Sequence, residues 1–92
     1  MRYVVELFGV PRRLAEATEV ELDLPENAVL RDAVQALSRE APALLGRVIA
    51  EQGDRLVEPY ALNLNGRNFA ADLGQRLAPG DRILIMLPAA GG

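Results

Sequence analysis

Cysteine, histidine and lysine are absent from this 92-residue sequence. Without cysteine the chain can form neither a disulfide nor a thiolate nucleophile, and without histidine it lacks the usual acid/base group of neutral pH. Cysteine and histidine are also the commonest ligands of transition metals. We therefore expect no metal site and no catalytic residues, and we interpret the protein as a non-enzyme.

The basic side chains are all arginine, and they are scattered along the chain rather than clustered. With a formal net charge of −3, this distribution argues against a nucleic-acid partner. No apolar run reaches the roughly 18 residues that a membrane span needs, and no basic segment precedes an apolar core at the N-terminus. The sequence thus predicts no membrane partner, no secretory signal and a cytoplasmic location.

Two segments near the N-terminus alternate as strands do. In residues 2–8 the inward positions are Tyr3, Val5 and Leu7, and in residues 18–24 they are Val20, Leu22 and Leu24. Gly9 and Pro11 end the first strand, and we expect a loop of about nine residues between the two strands.

Apolar residues at helical spacing predict the main helix after Pro25. They recur at i, i+3, i+4 and i+7 and so share one face: Leu30, Ala33, Val34 and Leu37. Pro42 closes this helix and can itself begin one or two further helical turns. In those turns we expect four residues to pack on the same core: Leu44, Leu45, Val48 and Ile49.

The second half of the chain carries the signals of a hairpin and a final strand. Residues 56–59 are interpreted as a connector or a short edge strand. Residues 60–64 alternate, and Asn65-Gly66 after them is the strongest short hairpin signal in the chain. The apolar run 83–87 predicts a buried strand, which Pro88 ends because proline has no N–H for the ladder.

This order of elements predicts an α+β fold of the ubiquitin-like β-grasp type, a mixed sheet of four to five strands with one main helix on one face. The first and last strands should lie parallel at its centre, since the chain between them is long enough for a crossover. We expect residues 1–87 to form this domain and residues 88–92 to form a flexible tail ending in Gly-Gly.

Some apolar residues should remain on the sheet face that the helix does not cover. Phe8, Met86 and Leu87 are the candidate partner-binding residues of that face, because an exposed apolar patch usually marks a partner surface. Filling of the core is an equally good interpretation, since the sequence does not tell which face each side chain occupies.

Beyond Pro88 the tail consists of small residues only: Ala89, Ala90, Gly91 and Gly92. Fully extended, it would project roughly 13 Å at about 3.3 Å per residue. Such a tail can enter a narrow tunnel and present the Gly92 carboxylate at its end. A frayed terminus is the plainer interpretation of the same residues.

Over essentially its whole length the chain resembles the MoaD/ThiS family of ubiquitin-like sulfur carriers. The matching stretches are the helix start NAVLRDAV (27–34), YALNLNG (60–66), LAPGDRI (77–83) and the terminal Gly91-Gly92. Two features depart from the family pattern. An aromatic residue and two prolines often stand where this chain has Met86, Leu87 and Pro88, and threonine is common at the position of Val29.

The resemblance implies that an E1-like activating enzyme binds the globular body and adenylates the Gly92 carboxylate with ATP and magnesium. A sulfur donor then replaces AMP, and the resulting thiocarboxylate gives its sulfur to an acceptor. The acceptor implied first is a large molybdopterin-synthase-type subunit, in molybdenum or tungsten cofactor synthesis. The chain is then a carrier or small non-catalytic subunit without a permanent cofactor.

Three alternatives stay open. In one, the sulfur serves thiamine synthesis or tRNA thiolation. In another, the acyl-adenylate passes to a lysine of a target, and the chain is a ubiquitin-like protein modifier. In the third, the chain is a non-covalent β-grasp binding module with an inert tail. The absence of lysine suits an activated acyl end, which an amine would attack, but compositional bias is the favoured explanation.

Overall fold

The computed structural model describes residues 1–88. Its strands are β1 (Arg2–Leu7), β2 (Glu19–Asp23), β3 (Ala61–Leu64), β4 (Asn68–Phe69) and β5 (Arg82–Met86). Helices α1 (Gly9–Ala15) and α2 (Leu30–Glu40) and a short 3-10 helix (Pro42–Leu44) are the helical elements of this part of the chain. Ala89, Ala90, Gly91 and Gly92 lie outside the described residues, so the tail stays a prediction.

All five strands belong to one mixed sheet in the order β2-β1-β5-β3-β4. The central pair, β1 and β5, is parallel, with Val5 opposite Ile83. On either side, β2 pairs antiparallel with β1, and β3 pairs antiparallel with β5. The predicted β-grasp fold, with the first and last strands adjacent and parallel, is confirmed.

The core lies between α2 and one face of the sheet. Alternation along the central strands buries Tyr3, Val5, Leu7, Ile83 and Ile85 on that face. From the other side, α2 buries the four residues predicted from their spacing, Leu30, Ala33, Val34 and Leu37, together with Ala36. A helix of one apolar stripe covers a single sheet face, so the opposite face is left without a helix.

Helix α2 begins with half of a capping arrangement. The Asp32 carboxylate accepts the N–H of Val29 at 2.9 Å, and its negative charge lies in the first turn, where the helix dipole favours it. Val29 has no side-chain acceptor to offer the helix in return, and no side-chain cap hydrogen bond forms.

The prediction of a loop between β1 and β2 is wrong, because this segment contains the helix α1. Pro11 lies in the first turn of α1, where the backbone N–H groups have no intrahelical acceptor and the missing N–H of proline is tolerated. A residue interpreted as a strand terminator is therefore also compatible with a helix start.

The prediction that Leu45 packs in the core is also wrong. Leu44, Val48 and Ile49 are fully buried as expected, whereas Leu45 is 36% exposed. The 3-10 helix ends at Leu44, and Gly46 at φ +79° turns the chain immediately afterwards. Helical spacing therefore does not continue through Leu45.

The predicted hairpin is confirmed. Asn65 and Gly66 both have positive φ, 61° and 73°, which is the backbone that a tight hairpin turn requires. Residues 56–59 form the expected connector, with a single bridge between Leu56 and Ile49. No helix of residues 1–88 has the length and apolar character needed to cross a membrane.

Candidate functional site

The chain leaves the sheet at the end of its central strand β5. Met86 is the last residue of β5, lies opposite Ala61 of β3, and is followed by the exposed Leu87 and Pro88. Next to it, Ile85 lies opposite Leu7 at the end of β1. The last described residue, Pro88, therefore lies just beyond the end of a central strand of the sheet.

Beside this point the structure brings together the three predicted partner-binding residues. Phe8, Met86 and Leu87 line one groove of about 350 Å³. Phe8 is 43% exposed and Leu87 is 56% exposed, so neither fills the core, and Met86 is half-buried. The core-filling interpretation is wrong for Phe8 and Leu87, while their role in partner binding stays a prediction.

Sequence reasoning missed the remaining walls of this groove. Val10 and Pro11 of α1, together with Gly9 and Tyr60, complete its lining. The available signal was the spacing of Val10 and Leu14, which is i, i+4 and typical of a helix. Pro11 lies between these two residues, and it was interpreted as the end of the first strand.

The sheet face opposite α2 continues from this groove and has an apolar half. Register places Leu84 of β5 between Glu6 of β1 and Asn63 of β3, and Phe69 of β4 lies beyond Asn63. Residues directly opposite one another share a face. Leu84 is half-buried and Phe69 is 48% exposed, so this half offers apolar surface close to the end of β5.

The other half of the same face is charged. Arg82 donates from Nε to Glu6 at 2.7 Å and from Nη2 to Glu19 at 3.4 Å, while Arg2 donates to Glu21 at 3.0 Å. The hydrogen bond from Arg82 to Glu6, and then the charge of Glu6, raise the pKa of the Arg82 guanidinium. Both arginines are thus held by neighbouring acids.

The isolated acids of the loops and helix start have structural partners. Asp72 accepts the N–H of Gly74 at 2.7 Å, and Asp81 accepts the N–H of Ala78 at 2.8 Å. Within residues 1–88, no three acidic side chains come close enough together to hold a metal ion. Asp72 and Asp81 thus stabilise backbone turns locally, as Asp32 stabilises the start of α2.

The ThiS family matches residues 5–92 of this sequence. The chain belongs to the ThiS family. Members of this family are small ubiquitin-like carrier and modifier proteins rather than enzymes. The resemblance drawn from the sequence is thereby confirmed.

Individual relatives of this ThiS-family chain include a modifier protein. This chain is 33% identical over 87 residues to small archaeal modifier protein 1 of Haloferax volcanii, and the match covers 95% of this chain and 97% of the relative. The crystal structure of SAMP1 from Haloferax volcanii superposes with a TM-score of 0.83 at 32% identity, over 100% of both chains. A Pyrococcus furiosus chain assigned as molybdopterin converting factor subunit 1 superposes with a TM-score of 0.75 at 25% identity, over 97% of this chain and 99% of that one.

Proposed function

We propose that this ThiS-family protein is a cytoplasmic sulfur carrier whose Gly92 carboxylate is adenylated by an E1-like enzyme and converted to a thiocarboxylate. The observation that carries the proposal is that the family match extends through Gly92. The position of β5 supports it, because this central strand ends at Met86, beside the groove that Phe8, Met86 and Leu87 line.

The chemistry requires of this chain an ionised carboxylate and little bulk around it. A C-terminal carboxylate is ionised at neutral pH, and its oxygen attacks the α-phosphorus of ATP, so that pyrophosphate leaves and an acyl-adenylate forms. Sulfide from a donor then attacks the acyl carbon, and AMP leaves with the electron pair of the broken C–O bond. Magnesium and ATP belong to the activating enzyme, and Ala89, Ala90 and Gly91 connect Gly92 to Pro88 without obstructing a narrow active site.

For the sulfur acceptor we propose a large molybdopterin-synthase-type subunit. The similarity to the Pyrococcus furiosus molybdopterin converting factor subunit 1 supports this choice. In this assembly the acceptor contacts the groove of Phe8, Met86 and Leu87, so that the thiocarboxylate reaches its active site.

Protein modification is a second candidate function, favoured by the 33% identity to small archaeal modifier protein 1. In this reaction the ε-amine of a target lysine attacks the same activated acyl carbon and forms an isopeptide bond. Both functions begin with adenylation of Gly92, and they differ in the nucleophile that follows.

Intact mass spectrometry tests the proposal. The protein is incubated with ATP, magnesium, sulfide and the E1-like enzyme of its own organism, beside a variant that lacks Gly92. We expect replacement of one carboxylate oxygen by sulfur in the protein and no change in the variant. An unchanged mass with each E1-like enzyme of that organism would contradict the sulfur-carrier function. Gly-Gly branches on lysines of cellular proteins would instead support modification.

A further inference from the structure

A small pocket lies at the end of the sheet opposite the groove of Phe8, Met86 and Leu87. It has a volume of about 210 Å³ and is called the Tyr3 pocket below. Six residues line it: Met1, Tyr3, Glu26, Asn27, Leu77 and Pro79. Tyr3 precedes Phe8 by five residues, so about 16 Å of strand, at roughly 3.3 Å per residue, separates the two cavities along β1. A molecule in the Tyr3 pocket therefore leaves the groove free.

Backbone hydrogen bonds hold the walls of the Tyr3 pocket in place. Leu77 donates its N–H to the carbonyl of Ala28 at 3.0 Å, which fixes the loop before β5 against the turn after β2. Leu24 donates its N–H to the carbonyl of Met1 at 2.8 Å, and the Met1 ammonium donates to the carbonyl of Leu24 at 2.6 Å. The pocket is thus formed by the fold itself, as most binding sites are.

Three polar side chains of the pocket have no partner within residues 1–88. The Tyr3 hydroxyl, the Glu26 carboxylate and the Asn27 amide make neither a hydrogen bond nor an ion pair in this part of the chain. Asp72 and Asp81 show the contrast, since each accepts a nearby backbone N–H. Unpaired polar groups that converge on one cavity are what the binding of a polar group requires.

The Tyr3 hydroxyl is accessible from the pocket. Tyr3 is only 3% exposed, and its ring belongs to the core. Among the buried and half-buried residues of 1–88, however, the unpartnered side-chain atom that is completely covered is Asn63 Oδ1. The Tyr3 hydroxyl is also unpartnered and is not completely covered, and Tyr3 lines the pocket. A ligand in the pocket can therefore bond to this hydroxyl without any rearrangement of the fold.

The lining of the pocket favours a cation with several hydrogen-bond donors. Glu26 supplies the one charged side chain of the lining, and the oxygens of Tyr3 and Asn27 are further acceptors. A guanidinium group is planar and carries five N–H donors in a fixed fork, so it can bond to a carboxylate and to neighbouring oxygens at once. The apolar side chains of Met1 and Leu77 can cover the methylene groups that carry a guanidinium in arginine.

We propose that the Tyr3 pocket binds an arginine side chain of a partner protein. Glu26 is exposed, and an exposed ion pair by itself contributes little to affinity. A free guanidinium compound is therefore held too weakly to be a ligand in its own right. An arginine within a larger contact gains specificity from the same pocket. Because the pocket and the groove lie at opposite ends of β1, this inference is independent of the proposed function.

An NMR titration of the full chain tests the inference. The probe is N-acetyl-arginine N-methylamide, and the neutral N-acetyl-citrulline N-methylamide, of nearly the same shape, is the control ligand. We expect the arginine probe to shift the amide signals of Tyr3, Asn27 and Leu77 in a saturable way, with a dissociation constant of about 1 mM or weaker. The citrulline compound should leave these signals unchanged.

Two substitutions test the atoms assigned to binding. Tyr3→Phe removes the hydroxyl alone and Glu26→Gln removes the charge alone, and each should increase the dissociation constant about threefold or more. Because the hydroxyl has no partner in residues 1–88, Tyr3→Phe should leave the urea midpoint nearly unchanged. Glu40→Gln is the matched control, because Glu40 is exposed at the end of α2 and does not line the pocket.

Several results would overturn the inference. One is the absence of saturable shifts, and another is an equal effect of the citrulline compound, which would leave no role for the charge of Glu26. Wild-type affinity in both pocket variants, or equal weakening by Glu40→Gln, would reject the assigned atoms. Micromolar affinity for the probe would indicate a small-molecule site instead of a docking site. Shifts of the same signals with protein concentration alone would assign the pocket to an arginine of a second copy of this chain.

Discussion

Arg82 and Glu6 are 76 positions apart in sequence, yet Arg82 Nε donates a 2.7 Å hydrogen bond to the carboxylate of Glu6. The contact joins β5 to β1 on the sheet face opposite α2. Its two side chains are 49% and 29% exposed, so water screens the pair and its contribution to stability is small. The contact is nevertheless a direct marker of the parallel pairing of the two strands.

Replacing Arg82 with glutamine should lower the urea midpoint slightly, and added salt should reduce the difference from the wild type. The folded state raises the pKa of Arg82, so its contribution is complete below the ordinary arginine range and is lost only as pH rises through the raised pKa. The effect of the substitution should therefore be constant between about pH 6 and pH 9. Urea titrations across that range check this, and a steep change within it would contradict the assignment.

Truncation of Ile85 should be the more damaging of two neighbouring substitutions in the last strand. Ile85 is fully buried in β5, so Ile85→Ala should lower the free energy of unfolding by about 2–5 kcal/mol. Leu87, two residues later, is 56% exposed, and Leu87→Ala should change it by less than about 0.5 kcal/mol. Urea denaturation compares the two, and equal losses would argue against the central position of β5.

The start of α2 offers a stabilising substitution. Val29→Thr supplies the missing side-chain acceptor with little change in shape, and should raise the free energy of unfolding by about 0.5–1 kcal/mol. Asp32→Ala removes the hydrogen bond to the Val29 N–H and should lower it by about 1 kcal/mol. Thermal and urea denaturation measure the stability of both variants. A destabilised Val29→Thr would show that the valine methyl group replaced by the hydroxyl is needed for packing.

Removal of the groove side chains should impair activation without impairing the fold. Because Phe8 and Leu87 are exposed, the double change Phe8→Ala and Leu87→Ala should leave the urea midpoint nearly unchanged. If the groove binds the activating enzyme, the KM for adenylation should rise about tenfold or more. Leu45→Ala is the control, since Leu45 is also exposed but does not line the groove. Equal KM values for all three proteins would reject docking of the activating enzyme at the groove.

Local sequence patterns predicted the elements that depend on local geometry. The alternation of Tyr3, Val5 and Leu7 and the helical spacing of Leu30 and Val34 each give one apolar face, which can be stable only when buried. Asn65-Gly66 predicted its turn because both residues tolerate positive φ. The prediction was wrong at Pro11 because proline fits both the end of a strand and the first turn of a helix, and only the packing of α1 beside the groove distinguishes the two.

The sequence by itself determined the order of the strands and of α2 and the β-grasp fold, which follow from periodicity along the chain. It also determined the family, through the resemblance that its motifs carry. Only the tertiary structure decided that Phe8 and Leu87 are exposed beside the end of β5 and that, within residues 1–88, Asn63 Oδ1 is buried without a hydrogen-bond partner. Such properties depend on which strand lies beside which and on the face that α2 covers. Residues far apart in the sequence create them, and no local pattern records them.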